Sequence, residues 1–238
     1  MKKHVRARIA AVILAALAAP SMADEIQPYV EGFAGYGIGS RSGTGDIVSG
    51  TGFGGDFGTS GVYGGGLGIK VPYRDTGFAF RFDLTGSANP NLGGSNHTGT
   101  LPDGTPVGAK VKIGSDTYLA TAYIDLNVGL PVTPFVGFGV GGAHNRLGVV
   151  TYSNPAGAFA AISRENKSNF AWSGTVGATY TVIPEVQVDF AYRYIDAGQV
   201  ISGSSFTDLT NGTTQTLDSP VSSRLQIHQF TAAFRYLF

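Results

Sequence analysis

The chain contains no cysteine, and after its first 23 residues it has no apolar run long enough to cross a membrane as a helix. Without cysteine there is neither a disulfide framework nor a residue that could carry a lipid anchor. Charged residues make up only 13% of the chain and form no basic stripe of the kind that binds nucleic acid. These absences exclude a disulfide-stapled domain, a lipoprotein, a helical membrane protein and a nucleic-acid-binding protein.

The first 23 residues have the composition of a secretory signal peptide. A basic start precedes an uncharged run over residues 9–19, and the small residues Ser21 and Ala23 predict cleavage before Asp24. The uncharged run is about half the roughly 20 residues that a spanning helix needs. We therefore predict a signal peptide over residues 1–23 and a single exported domain over residues 24–238.

The exported part is rich in glycine and aromatic residues, with 36 Gly, 15 Phe and 11 Tyr in the whole chain. Apolar and polar residues alternate with a period of two, which is typical of strands with one apolar and one polar face. The alternation is clear over residues 78–84, 118–130, 170–182, 186–194 and 230–238. Glycine weakens it over residues 29–39, 61–71 and 135–143, where we also predict strands because glycine makes room for large neighbours inside a narrow barrel.

The gaps between these segments alternate strictly between short and long. The short gaps cover residues 72–76, 131–134 and 183–185, and the long ones, predicted as loops, cover residues 40–60, 88–115, 145–167 and 197–222. Short turns at one end and long loops at the other are typical of membrane barrels. The predicted fold is all-β, an eight-stranded antiparallel up-and-down transmembrane β-barrel.

A soluble eight-stranded calyx would show the same alternation, but it would bury its apolar face instead of exposing it. Aromatic residues near the ends of the apolar faces favour the membrane alternative, because such residues form girdles at bilayer interfaces. The residues concerned are Tyr118, Trp172, Tyr180, Tyr192 and Tyr236.

Three segments resemble a known family. Residues 230–238 (FTAAFRYLF) resemble the C-terminal assembly signal of outer-membrane barrels, carried here by Phe230, Phe234, Tyr236 and Phe238. Residues 188–198 and 134–142 resemble the penultimate and fifth strands of the small opacity-type barrels, which are related to the transmembrane domain of OmpA. The resemblance implies a monomeric, barrel-only protein of the cell outer membrane, delivered by the barrel-assembly machinery, with no catalytic residues to carry over.

The polar faces predict a set of charges inside the barrel. If the apolar faces meet lipid, the lumen receives four acids and four bases: Glu31, Lys70, Arg81, Asp83, Asp125, Asp189, Arg193 and Arg235. Side chains fill an eight-stranded barrel, and buried charges need partners. We therefore predict a salt-bridge network that closes the tube, with a narrow ion path as the alternative.

Arg224 and His228 share the lipid-facing parity of the last strand but lie beyond its apolar part, so we name them as candidate contacts for lipopolysaccharide phosphates. The solvated top of a strand is the simpler explanation. His97, His144 and His228 show no close spacing to serine of the kind that lipid-modifying hydrolases need. The sequence predicts no catalytic, metal or cofactor site.

These patterns predict an outer-membrane barrel with a structural, envelope-integrity or surface-adhesion role, because binding functions concentrate in long loops. Its expected partners are outer-membrane lipid, lipopolysaccharide and a host or surface ligand. A small porin-like channel for ions or hydrophobic solutes is the first alternative, and a lipid A-modifying enzyme is the second.

Overall fold

A computed structural model describes residues 26–42, 58–73, 77–93, 96–100, 103–127, 129–218, 220 and 222–238. The predicted signal peptide, residues 43–57 of the first long gap and residues 74–76 of the first short turn lie outside the described residues. No helix among the residues described is both long enough and apolar enough to cross a membrane.

Eight antiparallel strands form a closed barrel, which confirms the predicted fold. In barrel order they are β1 (Gln27–Ser42), β14 (Ser222–Leu237), β11 (Val186–Ile201), β10 (Glu165–Ile183), β7 (Val132–Leu147), β6 (Ile113–Leu126), β3 (Phe78–Asn89) and β2 (Gly58–Tyr73). The first and last barrel strands close the cylinder through a continuous register from Tyr29–Leu237 to Ser42–Arg224. The three strands predicted despite glycine are all present.

The barrel turns its apolar side chains outward and its polar side chains inward. Phe80, Phe82 and Leu84 of β3 are 40–51% exposed, whereas the intervening Arg81 and Asp83 are buried. The same alternation runs through β6 and β14. This arrangement is the reverse of a soluble calyx and matches a barrel surrounded by lipid.

The prediction of plain loops is wrong for three of the four long gaps. Each contains a β-hairpin, and the hairpins pair side by side into a six-stranded sheet in the order β13-β12-β9-β8-β5-β4. The strands are β4 (Asn96–Thr100), β5 (Pro106–Lys110), β8 (Val150–Asn154), β9 (Gly157–Ile162), β12 (Ser205–Asp208) and β13 (Thr214–Thr216). Runs of three to six residues carry too little alternation to reveal a strand, so tertiary pairing had to decide.

This sheet, called here the hairpin sheet, has an apolar core of its own. Its buried members are Val107, Ala109, Tyr152, Ala160 and Ile162, with Val150, Phe159, Phe206 and Leu217 packed against them. The end of the barrel that carries the sheet is called the hairpin end. The other end carries the short turns and the last residue, Phe238, whose amide donates to the carbonyl of Pro28.

Candidate functional site

The half of the lumen nearer the short turns, called here the lower half, holds the predicted charges. The structure brings most of them into contact. Arg81 lies 2.8 Å from Asp125 (Nε to Oδ1) and 3.6 Å from Asp189 (Nη1 to Oδ2). Arg235 also pairs with Asp189 and lies 3.8 Å from Glu31. Because Arg81 touches both Asp125 and Asp189, and Asp189 also touches Arg235, the pairs form one connected network.

Lys70, Asp83 and Arg193 lie at the margin of this network. The Lys70 ammonium is 4.0 Å from Asp125, at the limit of an ion pair. Arg193 and Asp83 reach tyrosines: Arg193 donates to the Tyr123 hydroxyl at 3.0 Å, and the Tyr29 hydroxyl lies 3.4 Å from Asp83. Among the residues described, neither Arg193 nor Asp83 forms an ion pair within 4.0 Å.

Aromatic rings flank the buried guanidinium groups, a feature that the sequence did not predict. The Arg81 guanidinium carbon lies 4.5 Å from the centre of the Tyr123 ring and 4.6 Å from that of Phe135. The Arg235 group lies 4.9 Å from the ring of Tyr29. Such cation–π contacts stabilise cations removed from water, so the rings and the carboxylates share this task.

Glycines on neighbouring strands make room for these rings. Tyr29 pairs with Gly68 and Phe33 with Gly64, and at either glycine a methyl group would lie about 2.5 Å from ring atoms of its partner. Phe135 and Gly177 form a third such pair between β7 and β10. The weak alternation around these glycines is therefore a consequence of inward rings that need space.

The upper half of the lumen combines apolar and uncharged polar side chains. Buried polar residues such as Ser115, Thr117 and Asn145 lie beside a buried apolar cluster made of Leu92, Val111, Ile113, Leu119, Ala143, Leu147, Ala171, Ile195, Ala197, Val200, Leu225 and Ile227. Leu92 enters from the turn after β3, where its amide donates to the carbonyl of Ile113 at 2.7 Å. Beneath the cluster, a cavity of about 20 Å³ beside Arg81, Tyr123 and Arg193 has room for about one water molecule.

Arg224 and His228 lie on the outer wall near the hairpin end. Arg224 is half exposed, and its guanidinium bonds to the buried carboxylate of Asp196 at 2.7–3.1 Å. His228 lies within hydrogen-bond distance of the Tyr192 hydroxyl (Nδ1, 2.7 Å) and at 3.5 Å from Ser40 (Nε2). Arg224 therefore keeps an exposed face, whereas both ring nitrogens of His228 have neighbours.

His228 belongs to an aromatic cluster on the same wall. Its ring stacks on Tyr192 and meets Tyr194 edge-on at 5.4 Å between centroids. Tyr194 in turn lies 5.3 Å from Trp172, and Tyr192 lies 5.2 Å from Phe230. Trp172 and Tyr192 of this cluster are among the residues that the sequence predicted for an aromatic girdle, whereas the sequence did not predict Tyr194, His228 or Phe230 as girdle members.

The described residues contain a second serine–histidine contact, shorter than that of His228 with Ser40, and the sequence predicted neither because their members come from different strands. His144 Nδ1 of β7 lies 3.0 Å from Ser168 Oγ of β10 on the outer wall. Asp116, the partner of His144 on β6, instead binds Arg146. No acid lies within 4.0 Å of His144 among the residues described, and they contain no group of metal-binding side chains. This pair lacks the third member of a catalytic triad.

The chain belongs to the outer-membrane protein beta-barrel family, whose model matches residues 9–238. It is 31% identical to the outer membrane protein PagN of Salmonella typhimurium over 181 residues, which cover 72% of this chain and 75% of PagN. The protein is therefore an integral protein of the outer membrane.

Two solved structures align with this chain over most of its length. The Neisserial surface protein A (NspA) aligns with a TM-score of 0.47 and 18% identity over 89% of this chain and 97% of NspA. The attachment invasion locus protein Ail of Yersinia pestis, crystallised with the heparin analogue sucrose octasulfate, aligns with a TM-score of 0.41 and 11% identity over 89% of this chain and 98% of Ail.

Proposed function

We propose that this protein binds a ligand outside the cell through the hairpin sheet, with the barrel as a monomeric anchor that also contributes to envelope integrity. The hairpin sheet is the observation that carries the proposal. It has a buried core of its own, joined to that of the barrel by Val150, which packs against both, so its hairpins form one ordered surface instead of independent loops. Long loops of outer-membrane barrels face the exterior, and an ordered surface there lowers the entropy cost of binding.

The charge of this surface favours a neutral ligand over a polyanion. At the hairpin end, the described residues include nearly as many acids as bases: Asp103, Asp116, Glu165, Asp196, Asp208 and Asp218 against Arg41, Lys110, Lys112, Arg146, Arg164, Lys167 and Arg224. A heparin-like chain repels itself and loses hydration when it binds. A surface that binds it therefore needs more cations than anions to offset these free-energy costs. We expect the protein to pass an immobilised heparin column unretained at physiological salt.

Adhesion to cultured epithelial cells tests the proposal. The protein is displayed on a non-adherent bacterial strain, and the tips of the hairpins at residues 154–157 and 208–213 are replaced by Gly-Ser segments of equal length. We expect adhesion to fall at least severalfold, with the same amount of folded barrel on a gel. Adhesion that is unchanged in both variants, or absent in the unmodified protein, contradicts the proposal.

The lumen argues against the alternative of a channel. Two packed layers lie in series, the ionic network in the lower half and the apolar cluster with its buried polar neighbours in the upper half, whereas a water-filled pore needs an open path. We expect no stable conductance in planar bilayers from the unmodified protein and no swelling of liposomes with small sugars. Large, stable channels that change when Arg81 and Arg193 are neutralised would establish the pore instead.

The four aromatic residues of the proposed assembly signal point away from the lumen. Phe230, Phe234, Tyr236 and Phe238 are all exposed on the outer wall, where a folding factor or lipid reaches them. We propose that the barrel-assembly machinery binds these four residues before the barrel closes. Truncation of Phe238 should lower the yield of folded protein in cells more than its refolding yield in vitro.

A further inference from the structure

The barrel wall splits between β10 and β11 as it approaches the hairpin end. The register of these two strands ends at Trp172–Asp196. Beyond that point β10 stays paired with β7, and β11 stays paired with β14. The two sides meet again where β12 pairs with β9 in the hairpin sheet. The interval is called here the seam and comprises residues 165–171 of β10 and 197–201 of β11.

The wall between β6 and β7, by contrast, continues into the hairpin sheet without a break. Its register runs to Ile113–Leu147, and the amide of Gly148 then donates to the carbonyl of Lys112 at 2.8 Å. Beyond this bond β5 pairs with β8. Backbone hydrogen bonds therefore tie the β4–β5 and β8–β9 hairpins to the barrel, whereas the seam separates the β9–β12 ladder from the wall beneath it.

A bulge in β11 accompanies the seam. The register between β11 and β14 shifts by one residue between Asp196 and Gln199, which disrupts the ladder locally. Gly198 lies in this bulge with a φ of 73°, a conformation that favours glycine. A methyl group there would lie 2.5 Å from Cβ of Asn169, so the bulge approaches β10 too closely for a side chain. The bulge thus brings backbone of β11 next to side chains of β10.

Side chains bridge the seam in place of the ladder. Asn145 of β7 donates to the carbonyls of Ala197 and Gln199 at 2.7 and 3.2 Å. Asn169 of β10 donates to the Gln199 carbonyl at 2.8 Å, and Lys167 donates to the Gln199 side chain at 2.6 Å. These four bonds are called here the clasp. Each can break while β10 and β11 keep their ladders with β7 and β14, so the seam opens at a lower free-energy cost than a paired wall.

The chain beyond the seam has the residues of a hinge. Residues 202–204, Ser-Gly-Ser, join β11 to β12. The β12–β13 hairpin is then held against β9 by three residue pairs, from Phe206–Ile162 to Asp208–Ala160, and by the backbone bonds that flank them. Ala160 and Ile162 are buried in the core of the hairpin sheet. Separation of β12 from β9 would therefore uncover them.

We propose that the β12–β13 hairpin is a flap that opens away from β9, with the clasp as its latch. Opening breaks the clasp and the β9–β12 ladder, turns the hairpin about residues 202–204 and exposes the apolar edge of the hairpin sheet at Ala160. The other two hairpins stay in place, because the ladder of β6 with β7 continues into them. The flap controls whether the outer surface is complete, and its effect on adhesion is the one consequence that rests on the proposed function.

Single thiols measure the opening, because the chain has no cysteine of its own. Ala160→Cys places a thiol on β9 beneath the flap, and Ala109→Cys places one in the same apolar core on β5, away from it. The protein is reconstituted in lipid vesicles and labelled with a water-soluble maleimide. We expect Ala160→Cys to react severalfold faster, although Ala160 is 1% exposed and Ala109 6%. Equal rates, or faster labelling of Ala109→Cys, contradict the flap.

The clasp is tested in the background of these two thiols. Asn169→Ala removes one clasp bond, whereas Ser168→Ala, its neighbour on β10, removes a contact with His144 that does not cross the seam. Asn169→Ala should raise the labelling rate of Ala160→Cys about two- to tenfold, the range that one hydrogen bond supplies. Ser168→Ala should not change it. An equal rise at Ala109→Cys would show that the whole hairpin sheet opens, and no rise at Ala160→Cys would remove the clasp as a latch.

A disulfide across the β9–β12 ladder closes the flap. Ala161 and Thr207 are paired in that ladder and half-buried, and paired residues of antiparallel strands have Cα atoms about 5.5 Å apart, within the range of a disulfide. With Ala161→Cys and Thr207→Cys together, hydrogen exchange of β12 and β13 should be severalfold slower in the oxidised form than after reduction. Equal exchange in the two forms overturns the proposal.

The adhesion assay tests the consequence for ligand binding separately. Asn169→Ala should lower adhesion of the displayed protein, and the oxidised disulfide should restore it, because the closed flap completes the outer surface. Failure of the disulfide to restore adhesion would contradict this consequence. Labelling and hydrogen exchange need no ligand, so they support or overturn the flap even where the unmodified protein does not adhere.

Discussion

At the scale of single residues, burial decides what an ion pair contributes. Arg81 is 1% exposed and bridges Asp125 and Asp189, whereas Arg146 pairs with Asp116 at the solvated rim. Removing one partner of a buried pair leaves an uncompensated charge, but removing one partner of an exposed pair leaves a charge that water solvates.

We therefore expect Arg81→Gln to lower the free energy of unfolding by about 3–5 kcal/mol. The matched change Arg146→Gln should lower it by about 1 kcal/mol or less. Urea titration of the protein in lipid vesicles, followed by tryptophan fluorescence, measures both. Equal losses would show that the network does not stabilise the barrel.

Substitutions at two glycines, Gly64 and Gly32, test whether glycine is needed to make room for a ring that points into the lumen. Gly64 faces the ring of Phe33, where a new methyl group would lie 2.5 Å from Cζ and 2.3 Å from the carbonyl oxygen of Gly86, whereas Gly32 has no atom within 4 Å on its outward side. Forced overpacking costs about 1–3 kcal/mol. Gly64→Ala should destabilise the barrel by about this amount, and Gly32→Ala should not, as measured by the same titration.

At the scale of elements, the hairpins depend on their turns. In the turn between β12 and β13, Asp208 accepts hydrogen bonds from the hydroxyl and the amide of Thr210 at 2.6 and 2.8 Å. These bonds, the hydroxyl contributing most, hold the pKa of the Asp208 carboxyl below its usual range. The turn between β8 and β9 uses Asn154, which does not titrate and accepts the amide of Ala156.

The lowered pKa of Asp208 determines whether the β12–β13 hairpin becomes more or less stable as the pH falls. The folded hairpin prefers the carboxylate, so this contribution is complete above the ordinary Asp pKa of about 4 and disappears as pH falls through the lowered value. Amide protection in β12–β13 should therefore fall in acid, while that of β8–β9 stays constant. Hydrogen exchange corrected for intrinsic rates measures this, and Asp208→Asn should remove the difference between the hairpins.

At the scale of the whole molecule, two apolar clusters stabilise two parts. Ile162 is buried in the hairpin sheet and Ile195 in the upper lumen. Ile162→Asp should expose the hairpins to protease while the barrel keeps its heat-dependent gel mobility. Ile195→Asp should prevent folding of the barrel. A loss of the folded barrel in Ile162→Asp would show instead that the two parts fold as one.

In the lumen, the sequence predicts the face on which each charge lies but not the partner that it contacts. Alternation placed Arg81 and Asp125 on the inward faces of their strands, because the direction of a side chain follows from its position along the strand. Their contact was not predictable, since the register pairs Arg81 with Tyr123 and Ala79 with Asp125, so the ion pair is diagonal. Register depends on how all eight strands close, which no single segment contains.

The amino-acid sequence by itself determined the number of barrel strands, their directions and which residues share a face of each strand, because a period of two is a local property of the chain; the aromatic residues near the strand ends then favoured lipid on the apolar face. Only the tertiary structure decided which charges meet, which glycines receive rings and that three hairpins join in one sheet. Those features require residues far apart in sequence to become neighbours, and their partners are set by strand pairing rather than by local pattern.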